Sequence, residues 1–214
     1  MDVYSQFDKV SRFKDAHTFL VSTSHIRSKA GIGSNEEGSI IVAVCGEINN
    51  YKQLYKKLRT KHDFKSINYP EVVAHLYESS GLNALKKLRG SFSLAIWDSE
   101  RKRLILAKDI MSGKALFYTI KDGCVIFSTK LINVIKYANI KFEIDKTVLD
   151  LYFSLSFVPP PKTLIRKIRK IACATALIFQ NGKAFKYRYW RPVYNFQYNS
   201  ESDFLINLIY ETLR

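Results

Sequence analysis

Cysteine is the residue type in this 214-residue chain with the most immediate capacity for chemistry. The three cysteines, Cys45, Cys124 and Cys173, lie far apart, and none of them forms a Cys-x-x-Cys pair. An odd number of cysteines at such separations does not indicate a disulfide framework or a zinc site. We therefore expect three buried free thiols, with Cys45 in the core at the end of an apolar strand.

The remaining titratable residues form no catalytic pattern that spacing alone can define. His25 and His75 are expected to be packed histidines rather than bases, and Asp109 and Lys114 lie beside turns, where they would fix loop geometry. No group of His, Cys and Asp has metal-ligand spacing, and no Ser, His and Asp set is indicated. The sequence therefore predicts neither a bound metal nor a cofactor.

Composition and charge restrict the class of protein. The chain is 47 % hydrophobic and 25 % charged, which is typical of a folded domain and excludes a disordered or fibrous protein. Its formal net charge of +15 makes nucleic acid or an acidic protein an attractive partner, but the basic residues are spread along the chain, as on ordinary solvated faces. Without an apolar run of spanning length or a signal peptide pattern, we expect a cytoplasmic protein that does not contact membranes.

Short β-branched and apolar runs, separated by turn residues, predict an antiparallel meander. The predicted strands of this meander are residues 39–44, 92–97, 104–107, 115–119 and 125–128. A further hairpin is predicted from residues 176–179 and 184–190, because the Asn181-Gly182 pair between them favours a tight two-residue turn.

Helical spacing of apolar residues predicts three helices between these strands. The first follows Asn50, the second begins at Asn68 with Pro70 in its first turn and ends at Gly81, and the third covers residues 145–153. We predict one domain over residues 1–195.

Residues 196–214 are predicted to form an amphipathic helix. Its first turn is marked by Ser200 and Asp203, which resemble a capping box, and its apolar side chains fall on one side. This helix either packs on the domain or docks onto a following domain or a partner chain.

Collinear motifs from about His25 to Pro192 resemble one known family. These motifs are Cys45-Gly46-Glu47-Ile48-Asn49-Asn50-Tyr51, Glu71-Val72-x-x-His75-Leu76-Tyr77-Glu78, Leu88-Arg89-Gly90-Ser91-Phe92 and Leu106-Ala107-Lys108-Asp109. In this order they resemble the N-terminal glutaminase domain of the asparagine synthetase family, a class II glutamine amidotransferase. The resemblance implies an α+β fold of the N-terminal-nucleophile hydrolase type, a four-layer αββα sandwich of two antiparallel sheets.

The resemblance also implies a catalytic mechanism that this sequence does not support. The family nucleophile is an N-terminal cysteine, and the free α-amine of the same residue acts as the general base. This sequence begins with Met1-Asp2, and its lead-in to His25 is shorter than that of the family. We therefore expect no catalytic residue in the sequence as given and, if that sequence is complete, no glutamine hydrolysis by the family mechanism.

The positions that hold the substrate in the family are only partly retained. Arg27 matches the arginine that pairs with the substrate α-carboxylate, Gly46 matches the backbone donor of the oxyanion hole, and Glu47 matches with a structural role. Cys45 replaces the asparagine whose side-chain amide completes that hole. Tyr69 replaces the aspartate that receives the α-ammonium group. The resemblance therefore implies a vestigial substrate-binding set of Arg27, Gly46 and Glu47.

Three functions follow from these observations. The first is a glutaminase-like domain that acts as a structural or regulatory partner of an ATP-dependent synthetase, either as a separate subunit or as part of a longer chain. The ATP-pyrophosphatase loop of that synthetase, Ser-Gly-Gly-x-Asp-Ser, is not in this sequence. The second is an active glutamine amidotransferase of asparagine biosynthesis with an upstream cysteine missing here. The third is a basic module that binds RNA or an acidic protein, and a homo-oligomer is left open.

Overall fold

The computed structural model describes residues 9–14, 19–24, 30–111, 114–194, 206 and 209–211. The strands are β1 (Lys9–Lys14), β2 (Phe19–Ser24), β3 (Ala30–Ser34), β4 (Ile40–Ile48), β5 (Gly90–Asp98), β6 (Arg103–Lys108), β7 (Phe117–Lys121), β8 (Cys124–Ser128), β9 (Arg169–Lys170), β10 (Thr175–Gln180) and β11 (Lys183–Arg188). The α-helices are α1 (Tyr51–Leu58), α2 (Tyr69–Ser80), α3 (Ala84–Lys87), α4 (Leu131–Tyr137) and α5 (Leu149–Leu155). Single 3₁₀ turns lie at Gly81–Asn83 and Lys146–Val148.

These strands form a large sheet, a small sheet and a separate hairpin, and all of their pairings are antiparallel. The large sheet has the strand order β11-β10-β6-β5-β4-β3, and the small sheet has the order β8-β7-β9. Strands β1 and β2 pair with each other. The longest pairing joins β4 to β5, from Ile40 opposite Asp98 to Ile48 opposite Gly90.

Three apolar clusters define the order of the layers. Val72 and Leu76 of α2 share the first cluster with Val44 of β4, on one face of the large sheet. The second cluster lies between the sheets and joins Leu106 to residues of the small sheet and its connections, such as Tyr118. The third cluster lies between the small sheet and α4. The fold is therefore the predicted αββα sandwich, with a helical layer outside each of the two antiparallel sheets.

Most of the predicted elements are confirmed, and their caps are those that the sequence indicates. The Asn68 side chain accepts a hydrogen bond of 2.8 Å from the backbone N–H of Glu71 at the start of α2. Gly81 ends this helix with a φ of +55°. The β10–β11 hairpin turns at Asn181 and Gly182, whose φ angles are +51° and +72°.

The sequence prediction missed several short elements and overestimated the burial of all three cysteines. Strands β1, β2, β3 and β9 and helices α3 and α4 were not predicted. The three cysteines are free, but Cys124 is exposed, whereas Cys45 and Cys173 are half-buried. Cys124 directly follows the Asp122-Gly123 turn, so it lies at the tip of the β7–β8 hairpin, where water reaches the side chain.

Some predictions fall largely outside the described part of the chain. His25 and Arg27 are outside it, as is most of the predicted helix over residues 196–214. Within that helix, Ile206 and residues 209–211 are helical and exposed. None of the helices in the described ranges has the length and apolar character needed to cross a membrane.

Candidate functional site

The candidate site is centred on the pairing of β4 with β5, at two glycines where the strand backbones come very close together. Gly46 has a φ of +116°, and a Cβ atom added there would lie 2.1 Å from the backbone oxygen of Ser91. Gly90 has a φ of +147°, and its added Cβ would lie 2.1 Å from the backbone oxygen of Glu47. Both positions therefore require glycine, because any side chain would collide with the backbone of the paired strand.

Cys45 lies on the face of the large sheet that is turned toward the small sheet. Side chains alternate along β4, and Ile41 and Ala43 contact the cluster between the two sheets, so Cys45 shares their face. Across the sheet, Cys45 pairs with Ala30 on one side and Ser93 on the other. The predicted core position of Cys45 is thus half-buried between the sheets.

The surroundings of Cys45 keep its thiol protonated. Burial raises the pKa of the Cys45 thiol, and this effect outweighs the opposing influence of the Lys114 charge and a hydrogen bond with Thr129. Ser93 Oγ of β5 donates a hydrogen bond of 2.9 Å to the backbone oxygen of Lys114. This bond joins the segment that contains Lys114 to β5. A protonated thiol is a weak hydrogen-bond donor, so Cys45 would stabilise a substrate oxyanion much less than an amide would.

The loop that follows β4 is organised by Asn50. The Asn50 side chain donates to the backbone oxygen of Lys87 at 2.8 Å and accepts from the backbone N–H of Arg89 at 3.0 Å. These bonds join the end of β4 to the segment that enters β5. Glu47 is exposed and precedes this loop. The motif Cys45-Gly46-Glu47-Ile48-Asn49-Asn50-Tyr51 therefore has a structural function that does not depend on catalysis.

Tyr69 is the first residue of α2 and is held by aromatic packing. Its ring lies edge-on to Tyr51 with a centroid distance of 4.6 Å, and it packs against the helix-side core. The loop before it is fixed by the buried Glu71 carboxylate, which accepts bonds of 2.6 Å from Lys65 N and 2.7 Å from Ser66 Oγ. Tyr69 therefore presents a hydroxyl, not a carboxylate, at the start of α2.

Strand β3 brings Cys45 and the start of α2 to the same end of the sheet. Ala30 pairs with Cys45, and an added Cβ at the next residue, Gly31, would lie 3.4 Å from Pro70 Cγ. At Gly33 the added Cβ would lie 2.7 Å from Glu71 N, so the helix rests directly on the strand backbone. Of the predicted site residues, Cys45 pairs with the first residue of β3 and faces the small sheet, whereas Tyr69 packs on the opposite, α2 face of the large sheet. Gly46 and Glu47 follow Cys45 on β4, beyond the pairing with β3. Arg27 lies outside the described residues.

Two further groups of residues were not found by sequence reasoning. A basic cavity of about 230 Å³ opens between the sheets near β10. It is lined by Tyr118, Pro161, Lys170, Ile171, Ala172, Thr175, Leu177, Lys186 and Arg188. Burial, together with the Lys108 charge, lowers the pKa of Lys170.

On the opposite side of the large sheet, Glu36, His62, His75 and Glu78 meet. Neither group has a recognisable spacing, because each combines segments that are distant in sequence.

Comparison with known proteins gives consistent matches. A family model described as a glutamine amidotransferase domain matches residues 9–190. The chain is 42 % identical over 97 residues to asparagine synthetase [glutamine-hydrolyzing] 2 of Bacillus subtilis, which covers 45 % of this chain and 13 % of that protein. It is 33 % identical over 147 residues to asparagine synthetase [glutamine-hydrolyzing] 3 of the same organism, covering 68 % of this chain and 24 % of that protein.

A third relative and one solved structure extend this comparison. The third is a putative asparagine synthetase [glutamine-hydrolyzing] 2 of Methanocaldococcus jannaschii, 29 % identical over 169 residues, with 75 % of this chain and 32 % of that protein covered. The chain therefore spans a third or less of the length of these curated relatives. The glutamine phosphoribosylpyrophosphate amidotransferase of Bacillus subtilis superposes with a TM-score of 0.54 at 15 % identity over 77 % of this chain and 32 % of that one, and it supports the fold alone.

Proposed function

The chain belongs to the glutamine amidotransferase domain family, as a class II domain of the asparagine synthetase type. Within this family, we propose that it does not hydrolyse glutamine. We propose further that it is a structural or regulatory partner of an ATP-dependent synthetase domain. The observation that carries this proposal is the half-buried Cys45 thiol, which stands beside Gly46 at the position of the family asparagine.

Amide hydrolysis passes through an anionic tetrahedral intermediate, which needs strong hydrogen-bond donors around its oxygen. In the family pattern, an asparagine amide and the backbone N–H of Gly46 supply these donors, and Cys45 stands at the asparagine position. Losing one such donor typically costs about 2.7 to 4 kcal/mol of transition-state stabilisation, which is roughly a hundredfold to a thousandfold in rate. The presence of the weakly donating Cys45 thiol in place of an amide therefore weighs against turnover at this site.

Recognition of free glutamine is weakened at a second point. The α-ammonium group of an amino acid needs a carboxylate or several strong acceptors when it leaves water. At the position where the family has an aspartate, this chain has Tyr69, whose ring packs against Tyr51. Tyr69 offers a hydroxyl in place of a carboxylate, so it does not supply the acidic acceptor that this cation needs.

The proposed partner is inferred from the relatives. Their names describe glutamine-hydrolysing asparagine synthetases, and the part matched by this chain is 13 % to 32 % of their length. The domain proposed here would act beside a synthetase domain of that kind. Ile206, Ile209 and Tyr210 are exposed apolar side chains in the helical residues near the end of the described chain, and they offer a surface for such a partner.

An active glutamine amidotransferase is the second candidate. The printed names of the relatives favour it, since each describes a glutamine-hydrolysing enzyme. The two candidates differ in the glutamine affinity and in the rate of ammonia release, and both quantities can be measured directly.

Titration calorimetry with L-glutamine tests the loss of substrate recognition. The wild-type protein is expected to show no binding at millimolar glutamine. The double variant Cys45→Asn/Tyr69→Asp restores an amide donor and a counter-charge, and it is expected to bind at least about tenfold more tightly, since a charged hydrogen bond contributes roughly 1.5 to 3 kcal/mol.

A matched control is Cys124→Asn/Tyr152→Asp, which makes the same chemical changes at exposed positions. This control is expected to behave as the wild type does. Micromolar binding of glutamine by the wild-type protein would contradict the proposal.

A further inference from the structure

Two histidines and two glutamates from three segments converge beside α2. Glu36 lies in the turn between β3 and β4, His62 lies in the loop after α1, and His75 and Glu78 lie one turn apart on α2. One ligand atom from each of the four side chains lies within 4.8 Å of the other three. We propose that this His/Glu cluster binds a zinc ion that joins the three segments.

Four nitrogen to oxygen distances in the cluster are close to the edge of a zinc tetrahedron. Nδ1 of His62 lies 3.5 Å from Glu36 Oε1 and 3.3 Å from Glu78 Oε2, and Nδ1 of His75 lies 3.4 Å from Glu36 Oε2 and from Glu78 Oε2. Glu36 thus directs a different oxygen at each histidine. Zinc bonds of 2.0 to 2.1 Å in tetrahedral geometry place neighbouring ligand atoms about 3.3 to 3.4 Å apart. These nitrogen to oxygen distances are longer than those of ordinary N–H···O hydrogen bonds.

The carboxylates are oriented by other donors. Asn35 Nδ2 donates to Glu78 Oε1 at 2.9 Å, which leaves Oε2 directed at both histidines. The backbone N–H of Asp63 donates to Glu36 Oε1 at 2.7 Å, and Oε2 of the same group faces His75. Hydrogen bonds of this kind fix ligating carboxylates in metal sites.

The histidines are also oriented for metal binding. His62 Nε2 lies 2.7 Å from Ser79 Oγ, so a proton on Nε2 can be donated to the hydroxyl while the lone pair of Nδ1 points into the cluster. His75 has no exposed surface and stacks against Phe64 with a centroid distance of 4.3 Å.

A ring nitrogen of imidazole can donate at most one N–H, yet two carboxylates face Nδ1 of His75, each at 3.4 Å. A divalent cation at the centre would attract both carboxylates and both nitrogen lone pairs.

The donor set selects among the common divalent ions. Magnesium and calcium prefer oxygen ligands alone, whereas imidazole nitrogen suits zinc and its neighbours in the transition series. Two imidazole nitrogens and two carboxylates, with nitrogen to oxygen distances near a tetrahedral edge, fit zinc in a closed, structural site. Such an ion would tie the β3–β4 turn and the α1–α2 loop to the surface of α2.

Metal analysis and thermal unfolding of the full chain test the proposal. After dialysis against excess zinc and then buffer, the wild-type protein is expected to retain one zinc ion per chain. Zinc at a hundredfold excess over its dissociation constant should raise the midpoint of unfolding by roughly 5 to 10 °C for a domain of this size.

Glu36→Gln removes one ligand charge and keeps an oxygen for the Asp63 bond, so it is expected to fold but to lose the zinc and the shift in midpoint. Glu37→Gln is the matched control, since Glu37 is the exposed neighbour, and it should behave as the wild type does. A Co²⁺-loaded wild-type sample should also show the intense visible absorption of a tetrahedral site. Less than one-tenth of an ion per chain, or equal retention by the two variants, would overturn the proposal.

Discussion

Replacing Gly46 by alanine is expected to lower the free energy of unfolding by more than about 4 kcal/mol, or to prevent folding. The added Cβ would lie 2.1 Å from the Ser91 backbone oxygen, and Gly46 has a φ of +116°. The substitution must therefore separate β4 from β5, in addition to the strain of a positive φ in a residue other than glycine. Urea unfolding followed by circular dichroism measures the change.

Gly123→Ala is the matched control for this experiment. Gly123 also has a positive φ, +75°, but a Cβ added there meets nothing within 4 Å. Only the conformational strain of about 1 to 2 kcal/mol is expected. Equal losses of stability in the two variants would show that the contact between Gly46 and Ser91 does not constrain the strand pair.

Replacing Asp98 by asparagine is expected to cost about 1 to 3 kcal/mol, because it disrupts the hydrogen bonds of a buried carboxylate, although its partner Arg101 is 57 % exposed. Asp98 is 1 % exposed and accepts bonds from Tyr77 Oη at 3.0 Å and from the Arg101 guanidinium and backbone N–H, each at 2.9 Å. The network fastens α2 to the end of β5. An asparagine would direct an N–H₂ group at one of these donors and leave it without an acceptor.

The loss of stability caused by Asp98→Asn is expected to depend on pH. Burial acts to raise the pKa of Asp98, but hydrogen bonds from Arg101 and Tyr77 outweigh it, so the pKa lies below its ordinary value. A lowered pKa stabilises the fold above the pKa of the unfolded state, about 3.9, and this contribution disappears as the pH falls through the folded value. Wild type and variant should therefore differ most above about pH 5 and converge in stronger acid.

Glu143→Gln provides the control for the loss of a carboxylate partner. Glu143 pairs with Arg166 at 2.7 Å, but both side chains are at least half exposed, and exposed pairs contribute little. We expect its unfolding curve to superimpose on that of the wild type. If Asp98→Asn also leaves the unfolding curve unchanged, or if its effect on stability grows in acid, the network does not stabilise the fold in the manner described.

Local sequence signals predicted the parts of the fold that depend on local chemistry. Asn68, Gly81 and the Asn181-Gly182 turn act through neighbouring backbone groups, so their roles are readable from a few adjacent residues. Strand β3 was missed because Gly31 and Gly33 have no strand propensity. These two glycines allow α2 to pack closely against the backbone of β3, and this contact is visible only in the tertiary structure.

The candidate site was predictable where a motif preserved it. The resemblance located Cys45, Gly46 and Tyr69, and these residues lie on elements that meet at one end of β3. The His/Glu cluster had no such signal. Glu36 and Glu78 are 42 positions apart and are brought together only by the packing of a turn against α2. The exposure of Cys124 likewise depends on where its hairpin turns.

Ammonia release from amide-labelled glutamine is the most direct test of the account. The protein would be purified from its native source with its natural N-terminus and incubated with [amide-¹⁵N]glutamine, and ¹⁵N-ammonium would be followed by nuclear magnetic resonance. We predict a rate no higher than that of a heat-inactivated sample. Sustained release of labelled ammonium over many turnovers per chain would contradict the proposal that Cys45 and Tyr69 have replaced a working glutaminase site.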